Sequence, residues 1–426
     1  MEGPQLQSRQ PTPDERPLDS RCAVGQTGPT SLPQRNFLLG AAIIFLGAVG
    51  IRWWFFNVAD FQGDELIYIR YAHRISTAGL SQFRLLAQEY ASNPSLWVYP
   101  NPLRVFYILI TALACAAAGT CTGPTIAAVS FLSGIGVVLL TLLMAWRMFG
   151  DHVALLSGLL VAFSPLQLQL SRRAWQDGLF SLTVLIALWA FWERSHSPRK
   201  SWDILLGCAL LASLLTKESS IIFPIGLYAA LLYPRWVGTP TVPLGRSILA
   251  ALLLPLPLAA LTVLILIPDP SLLARVYSGW LSATGTGEYA IAYSQGPWFR
   301  YLIDFFLLSP FTALLAIGYF FTAGGQQVDR FLGRCTLLLF VVFSLMALKN
   351  VRYVSFLDIP MRILAVLTLG SLSHHSAIAK FGERMLIVAV VLLAAYDLYL
   401  FSTIFINGAV YDPVTANLAR AERLIP

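Results

Sequence analysis

Charge is scarce in this chain. Only 12% of its 426 residues are Asp, Glu, Lys or Arg, while 57% are apolar and the mean hydropathy is +0.67. Soluble domains carry about twice that charged fraction. So little polar surface excludes a soluble fold of this length and predicts a polytopic membrane protein. Cysteine is scarce too. The five present (Cys22, Cys115, Cys121, Cys208, Cys335) make no CxxC pair, no Cys/His set at metal spacing and no disulfide framework. Four lie in or beside apolar runs and read as small hydrophobes; only Cys115 and Cys121 are close enough in sequence to bridge. No GxGxxG follows a strand-like run, so no nucleotide site of Rossmann type is expected. No internal repeat is visible, which argues against inverted-repeat transporters. The 29 Lys and Arg against 22 Asp and Glu give +7, but no basic stripe accompanies it. The excess reads as cationic loops beside anionic lipid, and nucleic-acid binding is not expected.

Residues 1–35 are rich in Pro, Gln, Ser and Arg and read as a disordered tail. The apolar run from Phe37 to Val58 then reads as an uncleaved signal anchor. Further apolar runs follow at 124–146, 152–170, 174–192, 202–217, 219–234, 247–267, 298–321, 332–348, 353–371 and 385–405. With the first they make about eleven transmembrane helices, an all-α bundle over 36–405. Most of the eleven tryptophans flank these runs, among them Trp53, Trp146, Trp175, Trp192, Trp202, Trp236 and Trp298. That is the placement of an interfacial aromatic belt. The run Leu103 to Ala118 either crosses, making twelve spans, or lies along the interface. Lysine and arginine divide too evenly between the two sides to choose. Two loops stand out by length, 59–101 and 268–297, and a short tail occupies 406–426.

Four clusters carry polar chemistry. Asp60, Asp64 and Glu65 follow the first span; a carboxylate there is either plain solvated loop or a proton acceptor at a membrane-face cleft. Ser164-Pro165 precedes Ser171-Arg172-Arg173-Ala174-Trp175-Gln176-Asp177, where Asp177 reads as a helix-capping acid or a site residue. Lys217-Glu218 falls between two apolar runs too close together for a real loop. Such a pair is either a structural ion pair or functional. Lys349, Arg352 and Tyr353 at a helix end suit a phosphate, or mark the end of a span.

These clusters, in this order, resemble the GT-C superfamily of membrane glycosyltransferases, nearest the branch of protein O-mannosyltransferases and aminoarabinose transferases. Tyr99-Pro-Asn-Pro102-Leu103, and the stretch from Gly296-Pro297-Trp298 to Ser309-Pro310, fit the same pattern. The resemblance covers roughly residues 36–372. It implies an enzyme in the cell membrane that moves a sugar from a polyprenyl-phosphate donor to an extracytoplasmic acceptor hydroxyl, with inversion. It makes Asp64 the catalytic base, with Glu65 its neighbour and Asp177 the second acid. Arg352 and Lys349 correspond to the basic residues on the lipid phosphate, and Tyr353, Lys217, Glu218 and Arg172 are further candidates for substrate binding. It also implies that 103–118 does not cross, that 1–35 is cytoplasmic, and that 59–101, 268–297 and 406–426 are extracytoplasmic. The chain departs from the pattern in its Pro-Asn-Pro stretch and in having no counterpart for a metal-binding Glu/His pair, which leaves a divalent metal open. The large soluble domain that some members carry after the last span is absent, about twenty residues following residue 405. A transporter or flippase of a lipid-linked sugar is the competing reading, and it would want its acids midway along the spans.

Overall fold

The computed structural model describes residues 35–56, 60–197, 199–232, 246–288, 290–322, 327–375 and 382–424. The tail expected over 1–35 therefore lies, apart from Arg35, outside the described residues. Among the described residues there is no strand, only one isolated bridge between Gln295 and Leu348. In chain order the helices are α1 Arg35–Phe56, α2 Asp64–Ala78, α3 Gln82–Ser92, α4 Val105–Ala118, α5 Gly123–Phe149, α6 Asp151–Ala162 and α7 Pro165–Arg172. There follow α8 Asp177–His196, α9 Lys200–Thr216, α10 Ile222–Leu232, α11 Arg246–Leu253, α12 Pro255–Leu266 and α13 Pro270–Thr286. The last are α14 Arg300–Leu308, α15 Pro310–Thr322, α16 Gln327–Ser344, α17 Asp358–His375, α18 Gly382–Phe401 and α19 Thr415–Ala421.

The all-α membrane bundle expected from composition is what the chain forms. Its apolar runs are not all single rods, however. Four helical segments among the described residues are long and apolar enough to cross a membrane unaided: Arg35–Phe56, Gly123–Phe149, Ser355–Ser373 and Gly382–Asn407. Two bent pairs, α6 with α7 and α11 with α12, raise this to six. The run at 152–170 bends by 55° at Ser164-Pro165, where proline cannot continue the hydrogen-bond ladder. Ser164 caps the new helix by accepting from the Gln167 amide at 3.2 Å. The run at 298–321 is likewise divided, at Ser309-Pro310.

A break inside an apolar bundle strands carbonyls that lipid cannot satisfy. Two buried arginines answer this one. Arg52 of α1 donates to the Ala162 carbonyl at 3.0 Å and to Ser171 Oγ at 3.1 Å. Arg362 of α17 donates to the Leu160 carbonyl at 3.1 Å, to Asp358 at 3.0 Å and to Ser309 Oγ at 2.9 Å, and pairs with Asp397. Close approach of α7 to α5 requires Gly134, where a Cβ would stand 2.0 Å from Ser171 Oγ.

The long loop 59–101 is built, not loose: it contains α2 and α3, as 268–297 contains α13. Both ends of α4 abut this region. At its start, Arg104 donates to Tyr68 Oη at 2.7 Å. Just past its end, Cys121 Sγ lies 3.7 Å from the Ile69 carbonyl, and Gly123 packs against Phe61. Cys115 and Cys121 are joined in a disulfide across the Gly119 turn, which corrects their reading as separate small hydrophobes. Two apolar cores result. One fills the bundle around α5, α8 and α17; the other lies under α2, α3 and α4, with Tyr68, Phe83, Tyr90 and Tyr107 at its centre.

Candidate active site

The site forms where the two cores meet, from segments that begin or end helices at one end of the bundle. The chain turns into α2 through Gly63, at φ +54°, a conformation that favours glycine. This puts Asp64 and Glu65 in the first helical turn, where acids are favoured by the unpaired amides. The segment between α7 and α8 carries Arg173 and Trp175 and delivers Asp177 as the first residue of α8. Lys217 sits at the end of α9 with extended backbone, and Arg352 lies in a short turn before α17, its amide held by Asn350 Oδ1 at 2.9 Å.

Arg352 is the hub. Its guanidinium reaches Asp177 at 2.9 Å and Asp64 at 3.2 Å, and Asp412 lies 3.9 Å away. It stacks over the Trp175 ring, 4.1 Å from the centroid. Burial alone would discourage its charge, but the three acids outweigh that and hold it firmly protonated. Lys217 pairs with the other oxygen of Asp177, donates to the Arg352 carbonyl at 3.0 Å and lies 4.5 Å from the Tyr353 ring centroid. Asp177 is thus fully engaged by two cations. Asp64 is not: its side chain keeps 26% exposure. Burial pushes its carboxyl above the ordinary range, with Arg352 and Arg104 pulling the other way.

A cavity of about 350 Å³ opens here, lined by Asp64, Arg104, Lys217, Arg352, Tyr353 and Asp412 among others. A second, largely apolar groove of about 610 Å³ adjoins it, the two sharing Arg104 and Trp280. Glu218, Leu215, Val263 and Leu273 line that groove.

Of the residues singled out from the sequence, Asp64, Asp177, Lys217, Arg352 and Tyr353 converge. Glu218 stands beside them and does not pair with Lys217. It binds Arg104 at 3.0 Å and accepts from Asn101 at 2.7 Å, so Arg104 holds its carboxyl below the ordinary range despite burial. Glu65 is wholly buried, with Arg173 at 2.5 Å, the Ala174 amide at 2.7 Å and the Gln62 amide at 3.0 Å. Lys349 turns back to the Met346 carbonyl, and Arg172 is buried in α7; neither lines the cavity.

Four participants were missed. Trp175 is no belt residue: it is fully buried beneath Arg352. Arg104 follows the Pro-Asn-Pro stretch. Tyr411 and Asp412 come from the supposed tail at 406–426, which folds back over the site. Asp412 accepts from Asn350 at 3.0 and 3.1 Å, while Tyr411 Oη donates to the Gln62 carbonyl at 2.6 Å. The only sequence signal was an aromatic–acid pair before Pro413.

The acids do not fit a divalent ion. Cations already occupy both oxygens of Asp177, and Glu65 is saturated by donors. Among the described residues no group of three or more His, Cys, Asp or Glu is placed to hold a metal.

In sequence, no curated protein matches the chain. A family model of dolichyl-phosphate-mannose-protein mannosyltransferases matches residues 101–260. In structure, ArnT from Cupriavidus metallidurans bound to undecaprenyl phosphate is similar at a TM-score of 0.52 and 16% identity, over 91% of this chain and 75% of that one. The oligosaccharyltransferase AglB of Archaeoglobus fulgidus, in complex with an inhibitory peptide and a dolichol-phosphate, is similar at 0.54 and 14% identity, over 86% and 55%. Its apo form gives 0.55 and 15% over the same shares. The chain has the GT-C fold. It spans little more than half the length of AglB. Within this GT-C bundle Asp64, Glu65 and Asp177 all stand at helix starts, not midway along membrane helices.

Proposed function

We propose that this GT-C protein is an integral-membrane glycosyltransferase of the cell membrane. It takes a sugar from a polyprenyl-phosphate donor and moves it to an acceptor hydroxyl on the extracytoplasmic side. The observation that carries this reading is a partly exposed carboxylate, Asp64, held 3.2 Å from a fixed guanidinium in a cavity that adjoins an apolar groove. The groove suits the prenyl chain. Arg352, Lys217 and Arg104 suit the phosphate, and the carboxylate faces the remaining space.

In the reaction, the acceptor O–H gives its proton to Asp64 as its oxygen attacks the anomeric carbon. The bond from that carbon to the phosphate oxygen breaks, and its electron pair leaves with the polyprenyl phosphate. One displacement inverts the anomeric centre. Charge grows on the leaving phosphate, so Arg352 binds it more tightly in the transition state than in the bound donor. Asp177, with Lys217 and Trp175, holds Arg352 in place, and Glu65 anchors the Arg173 segment beside Asp64. Incubating the purified protein with radiolabelled polyprenyl-phosphate sugars and a cell-envelope extract tests the proposal. Label should move from the lipid to a product only when Asp64 is intact. Label that stays on the lipid, or crosses a vesicle bilayer unchanged, favours the flippase reading.

A further inference from the structure

We propose that the cavity between the end of α18 and the end of α19 binds a phospholipid with a zwitterionic amine headgroup, a phosphatidylethanolamine. Binding there does not depend on glycosyl transfer at Asp64. The cavity, of about 990 Å³, lies where the chain leaves its last long apolar segment. Gly382–Asn407 is long and apolar enough to cross a membrane, and Tyr399, Thr403 and Asn407 from its final turns line the cavity. Arg420, Glu422 and Arg423, at and just past the end of α19, line it as well. Part of its wall thus belongs to a membrane-crossing segment and part to a charged one. That is the composition of a site at the level where hydrocarbon gives way to water. Its volume, at the upper end of small-ligand sites, has room for a headgroup with its glycerol.

An apolar stripe leads to the cavity along α18. Met385, Val388, Leu392 and Tyr399 are each at least half exposed, and spacings of three, four and seven residues put them on one face of the helix. Asp397, paired with Arg362 inside the bundle, marks the other face. The stripe therefore faces lipid and ends at Tyr399, in the cavity wall. An acyl chain lying along it brings its headgroup to the cavity. Three charges converge there. Arg420 and Arg423 are exposed and Glu422 is partly buried, and among the described residues none of them makes an ion pair. In the reaction cavity, by contrast, acids and cations meet each other. With no cation beside it, burial pushes the Glu422 carboxyl above its ordinary range. Two guanidiniums and one carboxylate match a phosphate diester that carries an ammonium group. The planar forks take the phosphate oxygens, and the carboxylate accepts from the ammonium N–H groups. A purely anionic headgroup would leave Glu422 unanswered, and a free saccharide would make no use of the apolar stripe.

Native mass spectrometry of the purified full chain, in detergent micelles doped with one dioleoyl lipid at a time, reads the apparent affinities. Phosphatidylethanolamine should bind at least about fivefold more tightly than phosphatidylcholine, which keeps the positive charge but has no ammonium N–H. It should exceed phosphatidylglycerol, which has no cation for Glu422, by a similar factor. Glu422→Gln should erase the preference over phosphatidylcholine. The double variant Arg420→Glu/Arg423→Glu should lose at least about fivefold of the phosphatidylethanolamine affinity, whereas Arg84→Glu, an equally exposed arginine on α3, should lose none. Equal affinity for the three lipids, or tighter binding of phosphatidylglycerol, overturns the proposal. So does binding unchanged in the double variant, or a preference that survives Glu422→Gln. The comparison of lipids uses the unsubstituted chain and decides the matter whatever the stability of the variants. None of these outcomes touches transfer from a polyprenyl-phosphate donor.

Discussion

Asp64→Asn separates catalysis from architecture. The amide keeps the shape of the carboxylate and still offers an oxygen to Arg352, now 3.2 Å away, but it cannot take the acceptor's proton. Loss of a general base costs about 10²–10⁴ in rate, or about 2.7–5.4 kcal/mol of transition-state stabilisation. The effect on stability has the opposite sign. Burial raises the Asp64 carboxyl above its ordinary value of 3.8, so the folded protein holds that proton more tightly than the unfolded chain. Stability from this group therefore falls as pH rises from that ordinary value through the raised one, and above the ordinary value the group is a net cost. Asp64→Asn removes the cost. Transfer of radiolabel should collapse while the melting temperature at pH 7 stays equal or rises, and the variant should lack the wild-type decline across that window. Turnover within about tenfold of wild type refutes Asp64 as the base. Activity lost together with a lowered melting temperature at pH 7 refutes the electrostatic argument.

Arg352→Lys should keep part of the activity and Arg352→Ala nearly none, because lysine offers the phosphate a point charge in place of a fork. In the alanine variant Asp64 also loses its chief attractive partner, so the acid limb of any residual rate should move to higher pH; an unmoved limb contradicts the pairing. Glu65→Ala should cost about 3–5 kcal/mol of stability, because it leaves the buried Arg173 guanidinium and Ala174 amide, and the Gln62 amide beside them, without their acceptor; a melting temperature equal to wild type in detergent shows these contacts to be dispensable. Cysteines placed at Gln62 or Gln295 should react with an impermeant thiol reagent on intact cells, and one at Ser197 should not. Labelling at Ser197 reverses the assignment of sides.

Composition alone determined that this is a helical membrane protein, because 12% charged residues cannot cover a soluble surface. The order of short polar clusters between apolar runs, through its resemblance to the GT-C superfamily, also marked out Asp64, Asp177, Lys217 and Arg352. What the sequence could not decide was which charge meets which. Lys217 and Glu218 are neighbours, yet the extended backbone at Lys217 sends their side chains apart, one to Asp177 and the other to Arg104. Trp175 sits in a motif that looks like an interfacial belt and becomes buried only because the chain leaves helix between α7 and α8. Tyr411 reaches a carbonyl 349 residues away, and Asp412 braces Asn350 from beyond the last span. Local periodicity carries no trace of such contacts. They exist because the packed bundle brings both chain segments to the same end, and only there do their polar groups find partners.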